Sequence, residues 1–227
     1  MNTWVKVARY NLVTPASYLV LPWILPFAFA VGAVTAGRVR GHDAAGYLAS
    51  FFIYFAVLGM QTIGRSLPFG LTLGASRRSF CSGTALLGMA LALVSGLVLT
   101  ALQAIERATG GWGLSMHFFR VPYLLNGPWY ATWLTSAVGL FALFAYGMWY
   151  GILYNRWGLL GTLAFIAAQA LVVAAGAVVV TFGHWHVWPA ARGSFAGLTA
   201  LGLTGVIAAL AVLLLAGGHA TIRRATV

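Results

Sequence analysis

The sequence predicts an all-α integral membrane protein, with a single transmembrane domain over residues 1–227 and six membrane-spanning helices. Hydrophobic residues make up 61% of the chain and charged residues only 7%, whereas an ordinary soluble domain has about 25% charged residues. The chain also contains six apolar runs, each close to the roughly 20 residues that a helix needs to cross the hydrocarbon core. We place these spans at residues 18–36, 47–67, 84–105, 129–154, 158–182 and 197–218.

The N-terminal segment, residues 3–13, mixes apolar and basic side chains. Such a mixture is typical of a short helix that lies in the membrane interface, with its cations reaching the aqueous side. A frayed polar tail is the alternative interpretation. The interfacial helix would present Trp4, Lys6, Arg9 and Tyr10.

The first apolar run has to be distinguished from a secretory signal peptide. Basic residues precede it, and Ala28-Phe29-Ala30 has the small-residue pattern of a cleavage site. The run nevertheless continues to Ala36, about the length of a full span, which favours a retained helix. Pro22 and Pro26 are expected to kink this helix.

Only residues 155–157 separate the fourth and fifth spans, so we predict an antiparallel hairpin. In the fourth span, Gly147 and Gly151 form a GxxxG motif, which lets two helices approach closely. The motif fits either a contact within the subunit or a seam between two subunits. Uncharged polar residues in or near the spans either bond to neighbouring helices or face a substrate path. These residues are Gln61, Thr100, Thr135 and Gln169.

The orientation follows from the 13 basic residues, because cytoplasmic segments of membrane proteins are enriched in Lys and Arg. One side of the predicted bundle has eight of them, and the other has five together with both acidic residues, Asp43 and Glu106. We therefore predict a multi-pass protein of the cell membrane with both termini in the cytoplasm. The eight are Lys6, Arg9, Arg65, Arg77, Arg78, Arg156, Arg223 and Arg224, and the five are Arg38, Arg40, Arg107, Arg120 and Arg192.

The middles of the predicted spans contain no formal charge. Ion-coupled carriers commonly have an ionisable group at membrane depth, so the sequence does not favour that class. Paired carboxylates for hydrolysis are also missing. The single lysine, Lys6, is not part of a phosphate-binding loop. If the protein moves a substrate uphill, we expect the energy to come from a partner chain.

Three histidines, His117, His184 and His186, could be read as metal ligands. A structural zinc site usually has four ligands, and no cysteine or acidic residue lies near these histidines in the sequence. Aromatic residues beside them are common at a membrane interface. We therefore predict no metal site.

The segment Gln61–Thr84 is a basic, glycine-containing interruption between the second and third spans. Ser66 and Pro68 predict the start of a short helix at the membrane surface, Gly74 predicts its end, and Ser76 is expected to cap the next helix. A cytosolic ATPase could hold such a helix and transmit motion to two spans. A plain loop whose arginines only set the topology is the alternative. The predicted contact residues are Leu67, Phe69, Leu73, Arg77, Arg78 and Phe80.

Residues 67–88, LPFGLTLGASRRSFCSGTALLG, resemble the segment after the second span in ABC-2-type permeases, the membrane subunits of one class of ABC exporter. The shared pattern is a small helix, then Gly-Ala-Ser-Arg-Arg-x-Phe at residues 74–80, then a small residue as the next span begins. The six-span layout, the cytoplasmic termini and the amphipathic start of the chain also match. The resemblance implies a coupling helix at residues 67–73 and an interfacial elbow helix at residues 4–12.

The resemblance further implies that two permeases, identical or different, rest on two separate ATPase subunits. ATP and Mg would bind to those partners, and this chain itself would have no cofactor, no catalytic residue and no nucleic-acid partner. We accordingly predict a permease subunit of an exporter. The alternatives are a membrane-anchored assembly or scaffold protein that binds a cytosolic partner without transport, and an intramembrane enzyme.

Overall fold

The computed structural model describes residues 20–24, 28, 32, 46–72, 76–110, 119, 128–182 and 200–223. No strand occurs among these residues, and the predicted all-α class is confirmed. Four long helices contain nearly all of them. Helix α1 spans Gly46–Thr72, α2 spans Arg77–Ala108, α3 spans Trp129–Phe182 and α4 spans Ala200–Arg223.

Helix α3 reverses its direction at Gly158, which divides it into a first arm and a second arm. Gly158 has φ 67° and ψ −165°, and glycine adopts this positive φ without a steric penalty. The Tyr146 hydroxyl oxygen then lies 2.8 Å from Gln169 Oε1, although these residues would be about 34 Å apart in one straight helix. The predicted hairpin is thus confirmed, and its turn lies at Gly158 instead of within residues 155–157.

Helices α1 and α4 run parallel to the first arm of α3, and α2 runs antiparallel to it. These directions follow from the residues that are in contact. Along two parallel helices the residue numbers of successive contacts rise in both helices, whereas along two antiparallel helices they rise in one and fall in the other. The pairs are Ala56–Gly147 and Met60–Gly151 for α1, Thr204–Thr135 and Gly218–Ile152 for α4, and Gly88–Phe144 and Gly96–Ala137 for α2.

The bundle therefore has two ends, which we name the Gly158 end and the Trp129 end. The Gly158 end contains the turn of α3, the C-terminal parts of α1 and α4, and the N-terminal part of α2. The described basic positions divide between the two ends as the sequence predicts, and which end faces the cytoplasm stays a prediction. Positions 65, 77, 78, 156 and 223 lie at the Gly158 end, and Arg107 lies at the Trp129 end.

Among the described residues, three helices are long and apolar enough to cross a membrane, over Ser79–Ala108, Trp129–Val178 and Leu201–Gly218. The second of these includes the reversal at Gly158 and so consists of two antiparallel arms. A shorter apolar stretch, Leu48–Gly64, lies in α1. The outer surface is apolar as well, as at Leu160, which is 83% exposed. Lipid chains are the natural cover for such a surface, and we conclude that this is a membrane protein.

Phe144, on the first arm of α3, is the centre of the packing between α1, α2 and α3. Its side chain is fully buried. A Cβ atom added to Gly59 would lie 2.1 Å from its carbonyl oxygen, and one added to Gly88 would lie 2.2 Å from its ring. Glycine at these two positions therefore lets α1 and α2 approach the same residue from two sides.

The GxxxG motif lies in the contact between α3 and α1. A Cβ atom on Gly147 would be 1.8 Å from the carbonyl oxygen of Ala56, and one on Gly151 would be 2.8 Å from the carbonyl oxygen of Met60. Real side chains do not come this close to a backbone. The sequence left open whether the GxxxG motif makes a contact within the subunit or a seam between two subunits. This structure contains the contact within the chain.

Helix α1 does not end where the sequence predicts. Ser66 was expected to cap a separate short helix, residues 67–73, but α1 continues without a break to Thr72, so that prediction is wrong for residues 67–72. A helix of 27 residues is about 40 Å long, roughly 10 Å more than the hydrocarbon core. The Gly64 carbonyl cannot accept the usual helical hydrogen bond from residue 68, because Pro68 lacks an N–H. Leu73 and Gly74 lie outside the described residues.

Candidate functional site

At the Gly158 end, hydrogen bonding and close packing join α1 to the turn of α3. Asn155 Nδ2 donates to the carbonyl oxygen of Ile63 at 3.2 Å, one turn from the close contact at Gly151. The guanidinium carbon of Arg156 lies 5.4 Å from the centre of the Trp157 ring, which is a cation–π distance. Helix α1 is thus held to the first arm of α3 at Ile63, close to the hairpin turn.

Helix α2 begins at this end with the N-cap that the sequence predicts. Ser76 is extended, with φ −69° and ψ 145°, and its side-chain oxygen accepts the backbone N–H of Ser79 at 3.2 Å. Arg77 and Arg78 follow as the first residues of the helix. Cations at a helix N-terminus oppose the helix dipole, so these arginines do not serve the stability of α2. A role in topology or in binding explains them better.

The predicted ATPase-contact residues lie on both sides of the connection between α1 and α2. Leu67 and Phe69 belong to the last turns of α1, and the backbones of Arg77 and Arg78 start α2. Leu73 is outside the described residues. The structure therefore brings the described positions to the Gly158 end of the bundle, the end that contains the turn of α3.

Phe80 was predicted as a contact residue, but the structure buries it. Its side chain is 1% exposed and belongs to the hydrophobic core, so the ring is not available to a partner. The sequence contains a signal for this position. Phe80, Thr84, Leu87 and Leu91 recur at the three- and four-residue spacing of one helix face, and all four are buried. We remove Phe80 from the proposed contact surface.

Inside the bundle, a group of three polar side chains joins the two arms of the hairpin. The hydroxyl oxygens of Tyr146 and Tyr150 are 3.0 Å apart, and both hydroxyls donate to Gln169 Oε1. Of the two roles that the sequence left open for Gln169, the structure contains the bond between helices. The two tyrosines were not predicted from the sequence. They lie 23 and 19 residues before Gln169, and only the folded hairpin brings them next to it.

The other uncharged polar residues also have described surroundings. Thr100 donates to the Gly96 carbonyl of its own helix at 2.8 Å. The hydroxyl oxygens of Thr135 and Thr204 are 2.7 Å apart and link α3 to α4. Gln61 is exposed. Three of the four residues thus bond to a neighbouring helix or to their own backbone.

Glu106 lies at the end of a span, as predicted, but its side chain is only 1% exposed. Its Oε2 accepts the backbone N–H of Phe119 at 2.8 Å, and the Phe119 ring packs against the hydrophobic core. The sequence predicts Glu106 at a span end on the outer side, and its burial was not predicted. The spacing of Leu99, Gln103 and Glu106, all buried, would have placed it on the inner face of α2.

Several predicted residues lie outside the described residues: Trp4, Lys6, Arg9 and Tyr10 of the interfacial helix, and the histidines His117, His184 and His186. Within the described part of the chain, no group of three His, Cys, Asp or Glu residues is placed to hold a metal ion.

The described geometry thus places five arginine positions at the Gly158 end and hydrogen-bonding side chains within the bundle. Such an arrangement suits binding and the transmission of motion. The resemblance to ABC-2-type permeases depends on residues 67–88 and on the helix layout. No protein-family model, curated protein or solved structure matches this chain.

Proposed function

We propose that this protein is the permease subunit of an ABC-2-type exporter. It has six spans and two cytoplasmic termini, and forms the substrate path together with a second permease, identical or different. Separate subunits bind ATP and Mg and hydrolyse the nucleotide. The observation that carries the proposal is the basic Gly158 end, where the last turns of α1, the start of α2 and the hairpin turn of α3 lie at the same end of the bundle.

The charge of the Gly158 end supports a cytoplasmic location. Five arginine positions lie there, whereas the only acidic residue among those described, Glu106, lies in the last turn of α2 at the opposite end. Cytoplasmic segments are enriched in basic residues, so the positive-inside rule assigns the Gly158 end to the cytoplasm. A cytosolic partner with an acidic groove would be attracted to the same surface.

The packing at this end supports transmission of force. At the connection between α1 and α2, residues 67–72 continue α1 as one helix, residues 77 and 78 begin α2, and α1 is fixed to the first arm of α3 by the Gly147 contact and by the Asn155 bond. A push on this connection would therefore move two helices and the hairpin together. Closure of two ATPase subunits on ATP provides such a push, and the helices respond by opening a path between the permeases.

Reversal of the charges at positions 77 and 78 tests the proposal. Arg77→Glu combined with Arg78→Glu replaces two cations by two anions at the proposed contact and leaves the Ser76 cap intact. We expect membrane insertion to persist, while co-purification of a nucleotide-binding protein from native membranes and stimulation of its ATP hydrolysis fall at least tenfold. Arg107→Glu, at the opposite end of α2, is the matched control and should leave both measurements unchanged.

Three outcomes contradict parts of the proposal. Wild-type association and ATP hydrolysis in the double variant would show that residues 77 and 78 are not the contact. A partner whose ATP hydrolysis does not depend on this chain would favour the scaffold alternative. Transport, or turnover of a lipid or peptide, by the isolated chain without nucleotide hydrolysis would refute the exporter.

A further inference from the structure

The three polar side chains that join the two arms of the α3 hairpin have more hydrogen-bond donors than they can use among themselves. The hydroxyl oxygens of Tyr146 and Tyr150 lie 3.0 Å apart, and both hydroxyls donate to Gln169 Oε1. Together the three side chains have four polar hydrogens, one on each hydroxyl and two on the amide. Only three contacts join them, so at least one hydrogen has no acceptor within the group, whichever way the amide is turned. We name these three residues the hairpin group.

In the structure the spare donors are the two hydrogens on Gln169 Nε2. The Oε1 atom of this amide accepts both hydroxyls, and among the described residues no other group forms a hydrogen bond with the three side chains. Gln169 and Tyr146 are half-buried, so the hairpin group is not closed inside the core. A polar group without a partner in hydrocarbon is costly, and leucine would occupy position 169 without that cost. An acceptor from outside the chain would satisfy the amide.

The hairpin group lies inside the hydrocarbon core, away from water. The first arm of α3 runs from Trp129 to Trp157, and both rings are exposed, as is usual for aromatic residues at the two membrane interfaces. The middle of this arm is therefore near residue 143. Tyr146 and Tyr150 are about 5 and 10 Å from it along the axis, whereas the core extends about 15 Å from its mid-plane. Phospholipid ester carbonyls lie at the edge of the core, farther out than these tyrosines.

The surroundings of the hairpin group favour an uncharged, apolar ligand. Arg156 is the only charged residue of α3, and it lies at the turn, about 9 Å from Tyr150 along the axis. An anion at the hairpin group would therefore have no cation of α3 beside it. Aromatic rings adjoin the polar atoms: the rings of Tyr146 and Tyr150 are 4.9 Å apart between centroids, and Phe165 is 5.7 Å from Tyr150. Ligand sites commonly combine such apolar walls with a few polar groups that fix the orientation of the ligand.

We propose that the Gln169 amide donates a hydrogen bond to the carbonyl oxygen of an uncharged apolar molecule that enters from the bilayer. The hydroxyls of Tyr146 and Tyr150 hold the amide oxygen and so direct the N–H groups toward this molecule. The rings of Tyr146, Tyr150 and Phe165 contact its apolar part. Identification of the molecule as the exported substrate rests on the proposed function, whereas its binding does not.

Photolabelling of the full chain in lipid nanodiscs tests the site. Benzophenone is an uncharged apolar ketone whose carbonyl, excited by near-ultraviolet light, inserts into nearby C–H bonds. We expect peptides with residues 146–150 and 165–169 to be labelled at least about fivefold more than the peptide around Val212. Val212 is 64% exposed and lies at a similar depth, because α4 runs beside the first arm from Thr204 to Gly218. Equal labelling of these peptides would reflect partition into lipid alone and would overturn the site.

Competition in the unsubstituted protein tests whether the oxygen is recognised. Phenyl benzoate has an ester carbonyl, and diphenylmethane has a similar shape without an oxygen. An excess of phenyl benzoate should reduce benzophenone labelling of the hairpin at least about fivefold, and the same excess of diphenylmethane at most about twofold. Equal competition by the two compounds would indicate an apolar contact only and would overturn the hydrogen bond.

Substitution identifies the donor. Gln169→Leu removes both amide hydrogens and should lower labelling of the hairpin to that of the Val212 peptide. Thr204→Val is the matched control, because it also removes one hydrogen bond between helices, at Thr135, and should leave the labelling unchanged. Unfolding by sodium dodecyl sulfate checks that both variants are folded. A folded Gln169→Leu variant with the labelling of the unsubstituted protein would overturn the role of the amide, and if this variant does not fold, the competition experiment decides.

Phospholipid ester carbonyls are the competing source of the oxygen, and ether-linked lipids lack them. We expect the same labelling in nanodiscs of ester-linked and of ether-linked phosphatidylcholine. A rise of about fivefold in the ether-linked lipid would show that a phospholipid ester occupies the hairpin group, which would overturn the proposal of a separate apolar molecule. None of these measurements needs an ATPase, so this inference and the exporter can fail separately.

Discussion

The close contact between α1 and α3 predicts that Gly147→Ala is destabilising although alanine is the better helix former. The new Cβ would be 1.8 Å from the Ala56 carbonyl oxygen, and ordinary contacts begin at 3.4 Å. The helices must therefore separate by about 1.5 Å, which weakens every contact between them. Overpacking of this kind costs about 1–3 kcal/mol. Alanine in a helix returns up to ~1 kcal/mol, so the net loss is smaller than the clash itself.

Gly176→Ala is the matched control, because it makes the same exchange in the second arm of α3, where nothing lies within 4 Å of the new atom. The change in helix propensity then cancels between the two variants. We expect Gly147→Ala to be less stable than Gly176→Ala by about 1–3 kcal/mol, a factor of about 5 to 150 in the unfolding equilibrium. Reversible unfolding by sodium dodecyl sulfate in mixed micelles measures this difference. If the two variants unfold at the same detergent fraction, the α1–α3 contact is not as close as described here.

Two further substitutions test the hairpin of α3. Gln169→Leu removes the acceptor of both tyrosine hydroxyls, and a bond between helices in a membrane is worth about 0.6 kcal/mol on average and up to ~1.7. We expect a loss of about 1–3 kcal/mol in the same unfolding assay, and the Tyr146→Phe, Tyr150→Phe double variant should lose a similar amount. Gly158→Ala puts a Cβ at φ 67° and ψ −165°, a region adopted essentially by glycine alone, which costs about 1–3 kcal/mol. The control is Gly205→Ala in α4, where a new Cβ has open space, and equal stability of the two variants would contradict the turn geometry.

The sequence predicted the helices well because their cause is local. An apolar run of about 20 residues can satisfy its backbone in a membrane only as a helix or within a closed barrel, so runs 47–67, 84–105 and 197–218 could be placed without any knowledge of the fold. The cap at Ser76 is equally local, because its oxygen bonds to an N–H three residues away. The end of α1 was missed, since Pro68 signals a helix start in water but is tolerated where a helix leaves the membrane.

The contacts between helices could not be predicted in the same way. The GxxxG motif indicates a close approach, but only the fold shows that Ala56 is opposite Gly147. Burial of Phe80 and Glu106 follows from which face of α2 points inward. That face could have been read from the periodicity of the helix. Basic residues near Phe80 drew attention to a surface role, and the position of Glu106 beside a loop suggested exposure.

The burial of Glu106 raises the question of whether an ion gradient could drive transport by this protein, because ion-coupled carriers commonly use a buried carboxylate. Its position argues against that role here. Glu106 is two residues from the end of α2 at the Trp129 end, whereas a coupling ion has to be reached from both sides of the membrane in turn. Toward the Gly158 end the buried face of α2 is mainly apolar, with Phe80, Leu87 and Leu91 and the single hydroxyl of Thr84 between them, so it offers a cation at Glu106 few polar groups. Glu106 is therefore not placed as an ion-coupling site, and we still expect a partner chain to supply the energy for any uphill transport.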